Sequence, residues 1–204
     1  MESKTMQFLP TLPPEEVARA NFYGLLARLF YAPPDATLLD TLAAAQDLEA
    51  EAEDGGIAGA WRALAEASSN ADPEAVREEY ETAFVGVGKA PVTLYTSAYS
   101  VRFTNDVPLA ALRLELERLG IARREDTSEP EDHIATLCEV MRFLIAEQKA
   151  DLERQKEFFE RWIWPNVQPL CTAIQKSEEI VFYKTVSDFF LGLCTLEHTA
   201  FEML

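Results

Sequence analysis

The stretch Ser128–Ile134, with the sequence SEPEDHI, opens a strongly apolar segment of the chain. Ser128 stands three residues before Glu131, which is the spacing of a capping box. Pro130 suits a first helical turn because its missing N–H would have no partner there. The pattern therefore predicts a helix that begins at Glu129.

The same helix carries a histidine on its apolar face. His133 falls at helical spacing from Leu137, Met141 and Leu144, which form the stripe expected to face the core. Asp132 precedes the histidine directly. A polar pair at the edge of a buried face requires partners, so Asp132 and His133 are candidate functional residues.

The rest of the chain also shows helical periodicity, interrupted by proline, glycine and capping residues. The expected helices are an opening helix over 17–30 before Pro33-Pro34, a second capped by Asp35, a third over 57–65, a fourth opened by Asp72-Pro73 and carrying Tyr80 and Phe84, a fifth over 108–120, the helix over 129–149, a segment over 152–164 that Pro165 ends or kinks, a short helix around 170–174, and a last helix capped by Ser177.

One stretch, Gly86–Thr104, breaks this pattern. Its centre is rich in β-branched and aromatic residues, but no second strand-like run is present to pair with it. We therefore expect an ordered loop on a helical domain. The predicted fold class is all-α, a single-domain helical bundle, with an N-terminal extension over 1–14 and one helical domain over 15–204.

Composition limits the classes of function. The chain has 204 residues, 48% of them hydrophobic, and 18 Lys and Arg against 35 Asp and Glu give a net charge of -17. This charge repels phosphate backbones and anionic lipids, so nucleic acid and direct membrane insertion are not expected. A basic peptide would be attracted, although acidity is also an ordinary route to solubility.

Targeting and cysteine patterns indicate a cytoplasmic protein. Residues 1–14 lack the apolar run and cleavage site of a secretory signal, and no apolar run is long enough to cross a bilayer. Cys138, Cys171 and Cys194 are odd in number and lie within apolar helical patterns, which favours reduced core thiols.

Motifs for catalysis are weak. No nucleophile elbow, phosphate loop or dinucleotide fingerprint is present. Glu129, Asp132, His133 and Glu139 could bind a metal, but the Glu-x-x-His pattern of di-iron bundles is not met by either histidine. We predict no catalytic or metal site, while acid and base catalysis by Asp132 and His133 stays open at this point.

Aromatic side chains provide a candidate binding surface. Tyr and Trp residues on predicted helices belong more often to a core than to a groove, and helical spacing does not separate the two. The candidates are Tyr80, Phe84, Tyr95, Tyr99, Trp162 and Trp164.

Three segments carry a resemblance to a known family. Arg77–Gly86 (REEYETAFVG), Pro91–Tyr99 (PVTLYTSAY) and Glu129–Ile134 (EPEDHI) are similar to the motifs of the TorD/DmsD/NarJ-type redox-enzyme maturation chaperones. The last is the most specific, and the likeness covers roughly residues 15–200. The middle segment departs from the family by having Thr96 where a glutamate is common before Ser97.

The resemblance implies a cytoplasmic, all-helical, non-enzymatic chaperone of the TorD-like type without a cofactor. Its partners would be the twin-arginine signal peptide and the apo form of a molybdopterin oxidoreductase subunit, whose export it delays until cofactor insertion and folding. The chaperone would be a monomer or a domain-swapped dimer. The alternative is a nucleotide-binding or metal-dependent helical regulator or enzyme.

The same resemblance, together with the charge, implies a signal-peptide site. Glu129 and Asp132 would face the arginines and His133 would lie at the polar edge. The residues expected to line the apolar part are Tyr80, Phe84, Tyr99 and Trp162.

Overall fold

The computed structural model describes residues 12–45, 56–86, 90–100, 108–122 and 130–204. Every regular element within these ranges is helical, which confirms the predicted all-α fold class. The division into an extension over 1–14 and a domain over 15–204 stays a prediction. The α-helices of the described ranges are α1 (Pro14–Tyr31), α2 (Ala36–Ala44), α3 (Gly56–Ser69), α4 (Pro73–Tyr80), α5 (Ser97–Ser100), α6 (Pro108–Arg118), α7 (Ile134–Ala146), α8 (Leu152–Phe158), α9 (Trp164–Lys176) and α10 (Phe182–Glu202).

Several helix ends follow the local sequence signals. The Asp35 carboxylate accepts a hydrogen bond from Leu38 N at 2.8 Å and caps α2. Asp72 caps α4, whose first residue is Pro73. Gly120 follows α6 with φ of +71°, the left-handed conformation that ends many helices. These predictions are confirmed. Each of these helix ends depends on contacts within a few residues, and the local sequence therefore predicts it.

The predicted start of α7 is wrong. The helix begins at Ile134, five residues after Glu129, and His133 is its N-cap with an extended backbone (φ -65°, ψ 133°). Ile134 N donates to Leu94 O at 2.9 Å, so pairing with the preceding loop keeps this segment extended. Ser128 and Glu129 lie outside the described residues.

The predicted cap of the last helix is also wrong. The helix α10 begins at Phe182 rather than directly after Ser177. The carboxylate of Glu79, on α4, accepts hydrogen bonds from the backbone N–H groups of Val181, Phe182 and Tyr183 at 2.9, 3.0 and 2.9 Å. A helix about 100 positions away in sequence therefore supplies the cap, which local patterns do not encode.

Within the described ranges, two π-helical turns extend helices. Glu81–Val85 continues α4, and Phe159–Ile163 connects α8 directly to α9. Pro165 was expected to end or kink this segment, but it lies in the first turn of α9, where a proline is tolerated.

The core is built around α1 and α7, while α10 packs against α3 and α9. The two central helices approach closely at Gly24, where an added Cβ would lie 3.0 Å from Arg142 Cδ. The three cysteines are free and buried in this core, as predicted. None of the helices within the described ranges has the length and apolar content needed to span a membrane.

A buried ion pair joins the first and last helices. Arg19 on α1 binds Glu197 on α10 through two hydrogen bonds, of 2.7 Å from Nε and 2.6 Å from Nη2. Tyr23 donates to the same carboxylate at 3.2 Å, and Glu16 accepts a hydrogen bond from Arg19 at 2.6 Å. Burial alone would lower the pKa of Arg19, but Glu197 and Glu16 raise it above its ordinary value.

Candidate functional site

The loop before α5 is attached to the turn before α7. Tyr95 and His133 form an isolated antiparallel bridge, and Thr96 N donates to Asp132 O at 2.9 Å. This pairing joins two of the sequence motifs, since one contains Tyr95 and the other contains Asp132 and His133. The stretch Gly86–Thr104 was expected to be an ordered loop; residues 90–96 of its described part form such a loop, held by hydrogen bonds to the turn, whereas Ser97–Ser100 form the helix α5.

Asp132 stabilises this attachment. Its side chain is buried, and Oδ2 accepts a hydrogen bond from Ser97 N at 3.3 Å. Its carbonyl oxygen also accepts a hydrogen bond from Thr96 Oγ1 at 3.0 Å. The carboxylate thus lies beneath the loop and orients the beginning of α5.

His133 connects the turn to α7. Its Nδ1 accepts a hydrogen bond from Ala135 N at 3.2 Å, so the neutral ring carries its proton on Nε2. The imidazole packs edge-on against Tyr95, with ring centroids 5.2 Å apart. His133 is only 7% exposed, and its side chain lines a cavity.

This cavity has a volume of about 770 Å³ and lies between the end of α1, the end of α4 and the attached loop. Aromatic residues dominate its wall although they come from separate parts of the chain. They are Tyr31, Tyr80, Phe84, Tyr95 and Tyr99, together with His133.

Tyr80 fixes one side of the cavity to the end of α1. Its hydroxyl lies 3.0 Å from Phe30 O and 2.9 Å from Tyr31 O, to which it donates. Tyr183 donates to Leu29 O at 2.9 Å in the same way. The terminal carbonyls of α1, which have no partner within the helix, are thereby satisfied.

Phe84 completes this side of the cavity. Its ring centroid lies 5.3 Å from that of Tyr80 and 5.0 Å from that of Tyr183, both in edge-to-face geometry. Phe84 lies in the π-helical turn, which Gly86 closes with φ of +59°. π-Helical turns are frequent at functional sites.

Tyr99 supports the opposite side. Its hydroxyl donates to Thr93 O at 2.8 Å, which closes the loop on itself. Burial raises the pKa of Tyr99 to about 12, so the phenol stays protonated and remains a donor at neutral pH.

The structure brings together four of the seven predicted site residues. Tyr80, Phe84, Tyr99 and His133 line the cavity, while Asp132 lies behind its wall. Glu129 lies outside the described residues. The remaining one, Trp162, is not part of the cavity wall and packs instead beneath Arg161, whose guanidinium carbon lies 4.9 Å from the centre of its ring.

Two aromatic residues of the cavity were missed by sequence reasoning. Tyr95 was among the aromatic candidates but was not assigned to the site, and Tyr31 was not considered. Tyr31 is 62% exposed at the end of α1, and only the folded chain brings it next to the loop. An aromatic residue two positions before a helix-ending Pro33-Pro34 pair is a weak signal by itself.

A second, more apolar groove adjoins the cavity. It has a volume of about 650 Å³, lies between α1, α6 and α7, and shares Tyr31 with the cavity. Two carboxylates on its rim are neutralised by arginines: Glu131 by Arg113 at 3.1 Å and Glu139 by Arg142 at 2.7 Å. The apolar residues that line it include Ala27, Leu116, Ile121, Ala135, Val140 and Phe143.

No cluster of three or more His, Cys, Asp or Glu side chains suited to a metal ion is present among the residues that the structure describes. The histidine outside the cavity, His198, lies 2.6 Å from Glu160 and stacks on Trp164 with ring centroids 4.1 Å apart.

Comparison with known proteins adds independent findings. A family model described as nitrate reductase delta subunit matches residues 50–172, which include α4, the attached loop and α7. The fold is similar to the crystal structure of a candidate redox enzyme maturation protein from Archaeoglobus fulgidus, with a TM-score of 0.54 and 16% sequence identity over 92% of this chain and 96% of that chain. At this identity the likeness concerns the fold alone. No curated protein matches the chain significantly.

Proposed function

Because the chain belongs to the nitrate reductase delta subunit family of redox-enzyme maturation chaperones, we propose that it binds the twin-arginine signal peptide of a molybdenum-cofactor oxidoreductase. Binding delays export of the apo subunit until its cofactor is inserted and the subunit is folded. The protein acts in the cytoplasm as a chaperone, without catalysis and without a cofactor of its own.

The observation that carries this proposal is the aromatic cavity. It joins Tyr80, Phe84, Tyr99 and His133 from segments that resemble the family motifs, and it opens to the surface beside the exposed Tyr31. Aromatic side chains provide a large contact area for a peptide at a small cost in conformational entropy.

The two halves of a signal peptide match the surroundings of the cavity. Such a peptide has a basic arginine pair followed by an apolar segment. The net charge of -17 attracts the basic half, while the adjoining groove between α1, α6 and α7 offers apolar contacts to the other half.

The site residues have different roles in this proposal. Tyr80, Phe84, Tyr99 and His133 contact the peptide, and Asp132 acts through the loop that it stabilises. Glu129 keeps its proposed role as a carboxylate near the arginines. Trp162 has none in the cavity.

Calorimetric titration of the purified full chain tests the proposal. We expect a synthetic twin-arginine signal peptide to bind, a peptide with serines in place of its apolar leucines to bind much more weakly, and a variant with two alanines in place of the arginines to lose affinity. The difference in affinity between the arginine peptide and the alanine peptide should become smaller at high salt, because salt screens exposed charges. Equal affinity for the arginine and alanine peptides would reject the electrostatic half, and absence of binding to any of them would reject the function.

A further inference from the structure

The aromatic cavity differs from an ordinary apolar pocket in its lining. Five aromatic side chains and the imidazole of His133 form half of its described lining, and the described residues that line it include no Lys, Arg, Asp or Glu. The other lining residues are Val85, Ala90, Pro91, Thr93, Leu94 and Ala173. We propose that this cavity is an aromatic cage that binds the guanidinium group of an arginine of the signal peptide. This inference rests on the proposed function and assigns the basic half of the peptide to the cavity.

The chemistry of the rings favours a cation. The face of an aromatic ring carries partial negative charge and attracts a cation within about 6 Å of its centroid. Tyr31, Phe84 and Tyr99 come from three different elements and line the same cavity, and in our proposal the guanidinium lies among them. An anion would meet the same faces without attraction.

The planar guanidinium suits this cavity better than a compact ammonium. It is more weakly hydrated, and it stacks on aromatic rings while its edge donates hydrogen bonds. The phenol of Tyr99, whose pKa burial raises to about 12, stays protonated and provides a neutral acceptor. The cavity therefore discriminates arginine from lysine by ring stacking and hydration, without an ion pair.

The local electrostatics support the same occupant. The cavity lies at the carboxyl end of α1, which carries the partial negative charge of the helix dipole. The negative net charge of the chain acts in the same direction.

The adjoining groove accommodates the rest of the peptide. It meets the cavity at Tyr31, and the arginines bound to Glu131 and Glu139 neutralise its rim. An uncharged apolar segment thus fits the groove better than an arginine pair does. The peptide would pass Tyr31 between its basic and apolar parts.

Leucine substitutions separate a cation cage from an apolar pocket, because leucine keeps the apolar contact and removes the aromatic face. Tyr31→Leu is the first variant, since the 62% exposure of Tyr31 makes an effect on folding small. Phe84→Leu is the second, and Tyr31→Phe is the matched control that keeps the ring. Calorimetry measures each variant against the arginine, lysine and alanine peptides, and thermal unfolding verifies that each variant is folded.

We expect each leucine variant to weaken binding of the arginine peptide roughly tenfold and binding of the alanine peptide less than twofold. Tyr31→Phe keeps the ring and should therefore keep the preference for the arginine peptide over the alanine peptide. The lysine peptide should bind the unsubstituted chain more weakly than the arginine peptide, also at high salt.

The proposal is overturned if both leucine variants weaken the arginine and alanine peptides by the same factor, because the cavity would then hold an apolar side chain. It is also overturned if the leucine variants bind the arginine peptide as tightly as the unsubstituted chain. If the unsubstituted chain binds the alanine peptide as well as the arginine peptide, the cage is rejected while peptide binding stands. If it binds no peptide, the proposed function itself is rejected.

Discussion

Asp132 lies between the two segments that form one wall of the cavity. Its carboxylate accepts a hydrogen bond from Ser97 N, and its carbonyl oxygen accepts two hydrogen bonds from Thr96. The residue is 4% exposed, so its contribution to peptide binding passes through the position of the loop. This arrangement gives different expectations for two substitutions that both remove the charge.

Asp132→Asn should preserve the loop, because the amide oxygen of asparagine accepts the same hydrogen bond from Ser97 N. We expect less than a twofold change in affinity for a signal peptide and a stability change within about 0.5 kcal/mol. Asp132→Ala leaves the partly buried N–H of Ser97 without this acceptor and should cost about 0.5–1.5 kcal/mol of unfolding free energy as well as affinity. Urea unfolding and calorimetry measure the two effects. A large loss of affinity in Asp132→Asn with unchanged stability would instead indicate direct contact with the arginines.

From the sequence we selected Asp132 and His133 as candidate functional residues, but the environment that we predicted for each side chain was wrong. Helical spacing placed His133 inside a helix, whereas the residue caps the helix through Nδ1 and presents the rest of its ring to the cavity. The spacing argument failed because the backbone before Ile134 pairs with Leu94, which is distant in sequence.

At the scale of elements, two adjacent residues at the end of α4, Glu79 and Tyr80, stabilise two different parts of the fold. Tyr80 holds the end of α1 and lines the cavity, while the neighbouring Glu79 caps α10. Tyr183, whose backbone N–H is bound by Glu79, packs its ring against Phe84. The residues that cap α10 are therefore in direct contact with the residues that line the cavity.

Glu79→Ala should destabilise the fold by about 1–3 kcal/mol, because three backbone N–H groups at the start of α10 lose their acceptor. Glu79→Gln keeps an acceptor and loses the charge that interacts with the helix dipole, so its cost should be smaller. Glu78→Ala is the matched control, since this adjacent glutamate is exposed. Urea unfolding followed by circular dichroism measures all three. Equal stability of the Glu78 and Glu79 alanine variants would contradict the capping role.

The parts of the fold that the sequence predicts are those determined locally. Asp35 and Asp72 cap the helices that directly follow them, and Gly120 ends α6 with a positive φ. The start of α10 was predicted incorrectly because its cap comes from Glu79 on another helix. The π-helical turn that carries Phe84 has no local signal, since its residues are compatible with an ordinary helix.

At the scale of the whole molecule, the charge and the site act over different distances. The net charge of -17 is spread over the chain, while the described wall of the cavity has no charged side chain. The negative surface can therefore accelerate the approach of a basic peptide, and its effect is screened beyond about 8 Å at physiological salt. Affinity at the cavity depends on short-range contacts.

Closure of the fold depends on the ion pair between Arg19 on α1 and Glu197 on α10. Glu197 is 3% exposed and receives hydrogen bonds from Arg19 and Tyr23, so its charge is compensated only while the two helices are joined. Arg19→Ala leaves that carboxylate buried without its cation and should cost about 3–5 kcal/mol of unfolding free energy. Replacing both partners with apolar residues, Arg19→Met with Glu197→Leu, should restore part of this loss, because no charge of the pair is then left buried while the buried Tyr23 hydroxyl loses its acceptor.

Urea unfolding of the unsubstituted chain, of Arg19→Met, of Glu197→Leu and of the double variant forms a double-mutant cycle for this pair. Arg77→Ala is the control, because it removes an arginine from exposed pairs with Glu74 and Glu81, and such pairs contribute little to stability. We expect a much larger loss for Arg19→Ala than for Arg77→Ala, and a positive recovery in the double variant. If the double variant is as unstable as Arg19→Met, the unpaired Glu197 carboxylate is not the cause of the loss, and compensation of that charge does not join the first and last helices.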